Sequence, residues 1–149
     1  MVSGSAALPE AHFKEFESIT GQRLLERFGM TELNMALSNP YRPISARLPG
    51  SVGMPLPGVT AALLDADGGI SVGQEGEGEL LIKSPTMFDR YLNKPEVTAA
   101  EFHQGWFKTG DYVHYDGERY RILGRLSQDI IKKAGYKISA LEIESYLLQ

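Results

Sequence analysis

Phe13, Phe16 and Ile19 recur near helical spacing among charged and polar residues, between Pro9, which suits a first helical turn, and Gly21, which suits a left-handed stop. The pattern predicts an amphipathic helix over residues 9 to 20. A strand over 23 to 28 comes next, in which Leu24, Leu25 and Phe28 stand among charges and lead to Gly29. From Asn39 to Gly58, Pro40, Pro43, Pro49, Pro55 and Pro57 are interspersed with Gly50, Gly53 and Gly58. That stretch can hold only short extended pieces within a long loop.

A β-rich unit begins next. Residues 59 to 64 and 78 to 83 read as strands, with Asp67-Gly68-Gly69 as a turn between them. Residues 95 to 103 read as a helix that starts at Pro95 and is anchored by Phe102. Strands over 112 to 115 and 119 to 122 flank Asp116-Gly117, a dipeptide that readily takes the positive backbone angles of a hairpin turn. Ser139 stands three residues before Glu142, a capping box that opens a helix through Leu141, Ile143, Tyr146 and Leu147.

Composition narrows the classes without choosing one. A chain of 149 residues with 42% hydrophobic content can build one ordinary globular core. Its 15 basic residues against 19 acidic ones, scattered along the chain, argue against a nucleic-acid partner. With no Cys, and with His12, His103 and His114 far apart, neither a disulfide framework nor a zinc site is expected. No apolar run has the length of a membrane span, and residues 1 to 7 do not read as a signal peptide. The abrupt start in Ser3-Gly4-Ser5-Ala6-Ala7 and the uncapped last helix predict a piece cut from a larger protein.

Three segments carry candidate chemistry. In Phe28-Gly29-Met30-Thr31-Glu32 the aromatic ring can stack on a base, and Gly29 leaves room for a ligand. Thr31 can donate to a phosphate oxygen and Glu32 can offer Mg²⁺ a hard oxygen. A strand, a turn and a capped helix would use the same residues without any ligand. In Trp106-Phe107-Lys108-Thr109-Gly110-Asp111 the carboxylate comes after a glycine turn between extended segments and can accept from the two vicinal hydroxyls of a ribose. The bland alternative is an Asp capping a turn. In Gly124-Arg125-Leu126-Ser127 the guanidinium offers a planar fork for ribose or phosphate oxygens, or is simply an exposed arginine at a strand end.

These segments, with Gly4-Ser5-Ala6-Ala7 before them, Gly78-Glu79-Leu80 between them, and Ile131-Lys132 and Glu142-Ile143-Glu144 after them, stand in an order that resembles the adenylate-forming superfamily of acyl- and aryl-CoA synthetases. Within it, Ala36-Leu37-Ser38-Asn39-Pro40, the stretch from Pro49 to Gly58, and Ile130-Ile131-Lys132 with Gly135-Tyr136-Lys137 are similar to malonyl-CoA synthetases. The resemblance implies a mixed α/β fold. Residues 1–126 would be the end of a large N-terminal domain, divided into a helix-and-strand part over 1–58 and a β-barrel-like part over 59–126. Residues 127–149 would be the hinge and the start of a small C-terminal lid.

It also implies a reaction in which malonate or methylmalonate, ATP and CoA give the acyl-CoA, AMP and pyrophosphate, with Mg²⁺. By resemblance, Gly4, Ser5, Ala6, Ala7, Phe28, Gly29, Met30, Thr31, Asp111 and Arg125 bind ATP or AMP. Thr31 and Glu32 are catalytic, Glu32 as the Mg²⁺ ligand. Ser127 is the hinge, where relatives often carry Asp or Lys. Lys133, Gly135 and Lys137 face CoA, within a loop over 133 to 137 where Ala134 replaces an expected second glycine. Met35, Ala36 and Ser38 line the acyl pocket; for a distal substrate carboxylate the resemblance implies an arginine upstream of this segment, with Arg42 and Arg47 as candidates only by proximity in sequence. The phosphate loop and the late lysine of the superfamily are not in this sequence, so the segment alone is expected to be inactive. An adenylation domain that loads a carrier protein, and a non-catalytic AMP-binding module, remain alternatives. The compartment stays open between mitochondrial matrix and cytoplasm, and the oligomeric state is not legible.

Overall fold

The computed structural model describes residues 1–148. The chain opens on a strand that the hydrophobic pattern does not announce. β1 (Val2–Ser3) lies parallel to β2 (Leu25–Met30), and α1 (Glu10–Thr20) is the crossover between them. Parallel neighbours require a crossover of this kind. The helix starts after Pro9 and stops at Gly21, whose φ of 66° is left-handed and whose N–H donates to the Glu17 carbonyl at 2.8 Å. Phe13 is buried while Ile19 is 75% exposed, so the apolar stripe is narrower than its spacing suggests.

β2 reverses through Thr31, Glu32 and Leu33 into β3 (Asn34–Ser38), and β4 (Met54–Pro55) completes a four-stranded sheet in the order β1-β2-β3-β4. The strand expected over 23 to 28 begins later and runs through Gly29, and the turn leads into another strand rather than a helix. Gly29 sits at a bulge opposite β3. A Cβ there would lie 2.2 Å from the Asn34 carbonyl oxygen and 2.6 Å from the Met35 side chain. The glycine is therefore required by the hairpin itself, whatever a ligand needs.

Before β4, the Pro-rich stretch carries one short 3-10 turn (Ile44–Ala46) and is held largely by buried polar side chains. Arg47 donates to the carbonyls of Arg23, Tyr41 and Pro40 at 2.7, 2.9 and 3.3 Å. Buried and engaged in this way, Arg47 is not open to a substrate carboxylate, which corrects that expectation; Arg42 is exposed beside Tyr41.

The β-rich unit is a six-stranded antiparallel sheet of β5 (Thr60–Leu64), β6 (Ile70–Ser71), β7 (Gly76–Lys83), β8 (Phe102–His103), β9 (Trp106–Tyr115) and β10 (Tyr120–Arg125). The order is β10-β9-β7-β5-β6, with β8 added to β9. Along β7, Leu80 and Ile82 join the main core and Leu81 joins a smaller cluster with Ala62 and Trp106, as strand alternation demands. α2 (Pro95–Ala100) is shorter than the helix expected over 95 to 103. Phe102 leaves it to pair with Phe107 and to pack on the rings of Phe88 and Phe107 at 6.1 and 5.6 Å. The two sheets are tied where Tyr120 exchanges backbone hydrogen bonds with Val52 and Gly53.

After a turn over residues 126 to 129 come β11 (Ile130–Lys133), β12 (Tyr136–Ser139) and α3 (Ala140–Leu147). The loop expected over 133 to 137 shrinks to Ala134-Gly135, whose φ values of 51° and 84° make a two-residue hairpin turn. Ser139 caps α3 by accepting from the Glu142 N–H at 3.1 Å, and its hydroxyl donates to the Leu123 carbonyl. No helix among the described residues is long and apolar enough to cross a membrane.

Gly29→Ala forces a methyl group against strand backbone and should destabilise the fold by about 2 to 3 kcal/mol. Thermal unfolding of the variant checks this. An unchanged midpoint with impaired ligand binding would return Gly29 to a purely ligand-facing role.

Candidate functional site

A cavity of about 640 Å³ opens between the C-terminal end of β1, the middle of β2, the end of β10 and α3. Gly4, Ser5, Ala6 and Ala7 line one side, Phe28 and Gly29 another, and Asp111 with Gly124 and Arg125 a third. Segments from distant parts of the sequence thus meet around one space. β2 contributes a continuous run, with Glu26, Arg27, Phe28 and Gly29 all on the lining.

Asp111 is positioned by an irregular β9. Gly110 does not turn the chain; it lies inside the strand with φ 75°, opposite a break in the β7–β9 register between Glu79 and Leu81. The glycine turn expected before Asp111 is therefore a bulge, a device that re-aims side chains. Asp111 and Arg125 are register partners, brought together after a second bulge at Ile122 and Gly124. Arg125 Nε meets Asp111 Oδ1 at 3.1 Å, and Arg125 N donates to Asp129 Oδ2 at 2.8 Å.

Asp111 is 5% exposed. Burial pushes its carboxyl up to about 6, against the downward pull of the Arg125 guanidinium and with smaller upward pushes from Asp129 and Glu79. Desolvation outweighs the single ion pair because that pair satisfies only one oxygen. Asp111 Oδ2 is buried and has no hydrogen-bond partner among the described residues. Such an acceptor is costly to leave unpaired.

The Thr31-Glu32 turn forms a separate group outside the lining of this cavity. Thr31 is exposed and Glu32 half-buried. Glu32 Oε1 accepts from the Tyr91 hydroxyl at 2.8 Å, and burial, then that hydrogen bond, pushes the Tyr91 phenol up to about 12. Tyr91 is therefore a donor at neutral pH. Met30, half-buried, packs against the main core; Ala36 is fully buried within it; Met35 is 37% exposed. Ser38 borders a second cavity of about 500 Å³ with Tyr41, Met54 and Arg119.

Ser127 is exposed in the turn after Arg125. That turn is fixed by the Gln128 and Asp129 N–H groups, which donate to the Arg125 carbonyl at 3.1 and 2.8 Å. Lys133 and Gly135 are exposed at the β11–β12 hairpin, and Lys137 Nζ stands 4.3 Å over the Tyr112 ring. These residues lie outside the cavity lining.

Glu26 is a buried cavity residue that sequence reasoning overlooks. It is 6% exposed, its Oε1 accepts from Gly50 N at 3.1 Å, and burial pushes its carboxyl up to about 7 despite that bond. The one signal for it is its place beside Leu24 and Leu25 and two residues before Phe28, which strand alternation turns toward the same space.

Residues 1–92 match the model of the family described as AMP-binding enzyme. The chain is 53% identical to the malonate–CoA ligase of Arabidopsis thaliana over all of its length, and 51% identical to the mitochondrial malonate–CoA ligase ACSF3 of Bos taurus over 99% of it. It spans 24% and 28% of those two proteins. The crystal structure of ATP-bound MatB from Rhodopseudomonas palustris superposes with a TM-score of 0.87 at 40% identity, covering 97% of this chain and 28% of that one.

Because the Glu26 carboxyl titrates near 7 when folded and near 4.5 in the open chain, the folded state holds more protons between those values. Its contribution to stability therefore falls as pH rises through that window, by about 3 kcal/mol in all. Glu26→Gln keeps an acceptor for Gly50 and should flatten this slope, with a higher thermal midpoint than the parent at pH 8 and little difference at pH 5. Parallel pH profiles for the two proteins would contradict the assignment.

Proposed function

Since the chain belongs to the AMP-binding enzyme family, we propose that it forms the nucleotide-binding part of an ATP-dependent acid–CoA ligase acting on malonate or methylmalonate. The observation that carries this reading is Asp111: a buried carboxylate with one oxygen on Arg125 and the other without a partner among the described residues, beside a cavity that Phe28 and the Gly4 to Ala7 segment share. A ribose supplies two adjacent hydroxyls, which answer that unmet acceptor. Phe28 offers its ring face to the base, and the loss of a phenol oxygen relative to the commoner Tyr leaves stacking intact. The small residues Gly4, Ser5, Ala6 and Ala7 leave width for the purine.

Thr31 and Glu32 serve the phosphate end. A lone half-buried carboxylate, with no group of three or more acidic or histidine ligands among the described residues, builds no protein cage for a cation. It does fit Mg²⁺, which takes one or two carboxylates and completes its octahedron with phosphate oxygens and water. Bound there, the ion would neutralise phosphate charge. The chain's own residues align the nucleotide so that the substrate carboxylate attacks the α-phosphorus and pyrophosphate departs. The CoA thiol then attacks the acyl carbon and AMP leaves. Met35, Ala36 and Ser38 would border the acid, and Lys133, Gly135 and Lys137 the CoA.

In this reading residues 1–126 belong to the large domain, 1–58 to its helix-and-strand part and 59–126 to its β-rich part. Residues 127–149 begin a lid that pivots at Ser127. The partners are ATP, CoA and a short dicarboxylic acid. The mitochondrial location of the Bos taurus relative supports a mitochondrial setting.

In the full-length protein, malonate or methylmalonate should drive ATP-dependent pyrophosphate release with CoA consumed in step, while acetate and long-chain acids drive little. Strong release on another acid with none on malonate would overturn the substrate and leave the ligase class standing. The ribose role has its own signature. An ionised Asp111 accepts two hydrogen bonds and a protonated one does not, so AMP affinity measured by calorimetry should weaken as pH drops below about 6. Asp111→Asn should bind AMP weakly with no such pH dependence. Full affinity in that variant would remove Asp111 from the nucleotide site.

A further inference from the structure

Glu32 is held twice, at its backbone and at its carboxylate, and the two holds do different things. The backbone of the β2–β3 turn is gripped by the segment after β7. Phe88 N donates to the Glu32 carbonyl at 2.7 Å, and Thr86 Oγ1 donates to the neighbouring Leu33 carbonyl at 3.0 Å. Leu33 is itself fully buried, so the turn is fixed without help from the side chain of Glu32. The hydroxyl of Tyr91 adds a hydrogen bond to the carboxylate alone, at 2.8 Å from Oε1.

Tyr91 is held independently of that bond. Its ring meets the edge of Phe88 at 4.7 Å and 62°, and its N–H donates to Thr98 Oγ1 of α2 at 3.0 Å. Phe88 in turn packs on Phe107 at 5.4 Å in the main core. A rigid aromatic platform thus presents one donor to one oxygen of a half-buried carboxylate. Removing that donor would cost the fold little, whereas a Glu side chain left to rotate about its own torsions would have to be ordered by whatever it binds.

We propose that Tyr91 is a positioning residue for the phosphate end of the site, its hydroxyl fixing the Glu32 carboxylate in the orientation that receives the cation of a metal–nucleotide complex. This rests on the reading of Glu32 as the cation's carboxylate ligand. The hydroxyl orients Oε1 and leaves Oε2 outside that bond, so one oxygen is steered while the other is presented. Partners that orient a metal ligand from behind commonly change metal affinity by ten-fold or more when removed.

The test uses the full-length protein, Mn²⁺ as the paramagnetic probe, and a non-hydrolysable ATP analogue, so that binding is read without turnover. Tyr91→Phe keeps the ring on Phe88 and deletes only the oxygen. It should weaken Mn²⁺ in the analogue complex by about ten-fold, raise the Mg²⁺ concentration needed for half-maximal pyrophosphate release, and leave the KM for the acid and the thermal midpoint near those of the parent. Glu32→Gln separates the two layers of the reading. If Glu32→Gln weakens Mn²⁺ binding and Tyr91→Phe does not, the positioning role is wrong and the ligand role stands. If Glu32→Gln also binds Mn²⁺ as the parent does, both fall. Should only Tyr91→Leu weaken binding, with Tyr91→Phe unchanged, the ring's packing is responsible and the hydroxyl proposal is overturned.

Discussion

The pairing of Asp111 with Arg125 across β9 and β10 is the constraint on which the rest of the site depends. A carboxylate buried to this degree needs more than one partner, and the chain supplies one. The guanidinium is 45% exposed on its side chain, so solvent weakens the attraction while the carboxylate bears nearly full desolvation. That imbalance raises the Asp111 carboxyl to about 6 and leaves Oδ2 without a donor among the described residues. Local backbone irregularity is what produces it: a left-handed Gly110, a bulge before Gly124, and a turn that locks Arg125 N to Asp129.

Those irregularities are tolerated because the surrounding sheet is regular. β7 pairs on both edges, with β5 and β9, and buries Leu80 and Ile82 in the main core and Leu81 in a smaller one. Tyr120, at the opposite end of β10 from Arg125, stacks on Tyr115 at 4.4 Å and bonds to the Val52 and Gly53 backbone. It therefore sets the first sheet, and Phe28 on it, relative to the strand pair that carries Asp111. Gly53 is required at this joint: a Cβ would come within 2.0 Å of the Ser38 carbonyl oxygen.

Much of this was legible in the sequence where a single local force decides. The left-handed stop at Gly21, the Asp116-Gly117 hairpin and the Ser139 cap rest on backbone preferences that residues state for themselves. The misses occur where a distant contact wins. Phe102 abandons a helical pattern for an aromatic cluster with Phe88 and Phe107, and Ala134 takes a left-handed angle because the β11–β12 ladder closes there. At the site, the resemblance assigns the Gly4 to Ala7 segment, Phe28, Asp111 and Arg125 to one nucleotide, and all of them line one cavity, a meeting that residue spacing alone does not state. Glu26 stayed hidden because a charge beside apolar residues reads as surface until the strand's facing is known.

The proposed hinge side obeys the same economy of contacts. Beyond Ser127 the chain is attached to the large sheet by a small apolar cluster of Tyr112, Leu123 and Ile130, with Leu126 packed on it, by Ser139, whose hydroxyl bonds to the Leu123 carbonyl, by Asp129 on the Arg125 backbone, and by Lys137 over the Tyr112 ring. α3 buries no residue and leaves Tyr146 and Leu147 exposed. Few contacts therefore hold the last elements to β10, while the turn over residues 126 to 129 is tightly hydrogen-bonded to Arg125 and, through Leu126 N, to Gly110. A pivot at Ser127 would disturb the apolar cluster, the Ser139 bond, the Lys137–Tyr112 contact and the hydrogen bonds by which Gln128 and Asp129 hold Arg125, while the direct Asp111–Arg125 contact and the bulges of β9 and β10 lie before the pivot. In the proposed reaction this separation lets one nucleotide grip persist through both half-reactions while the residues around Lys133 and Lys137 change place.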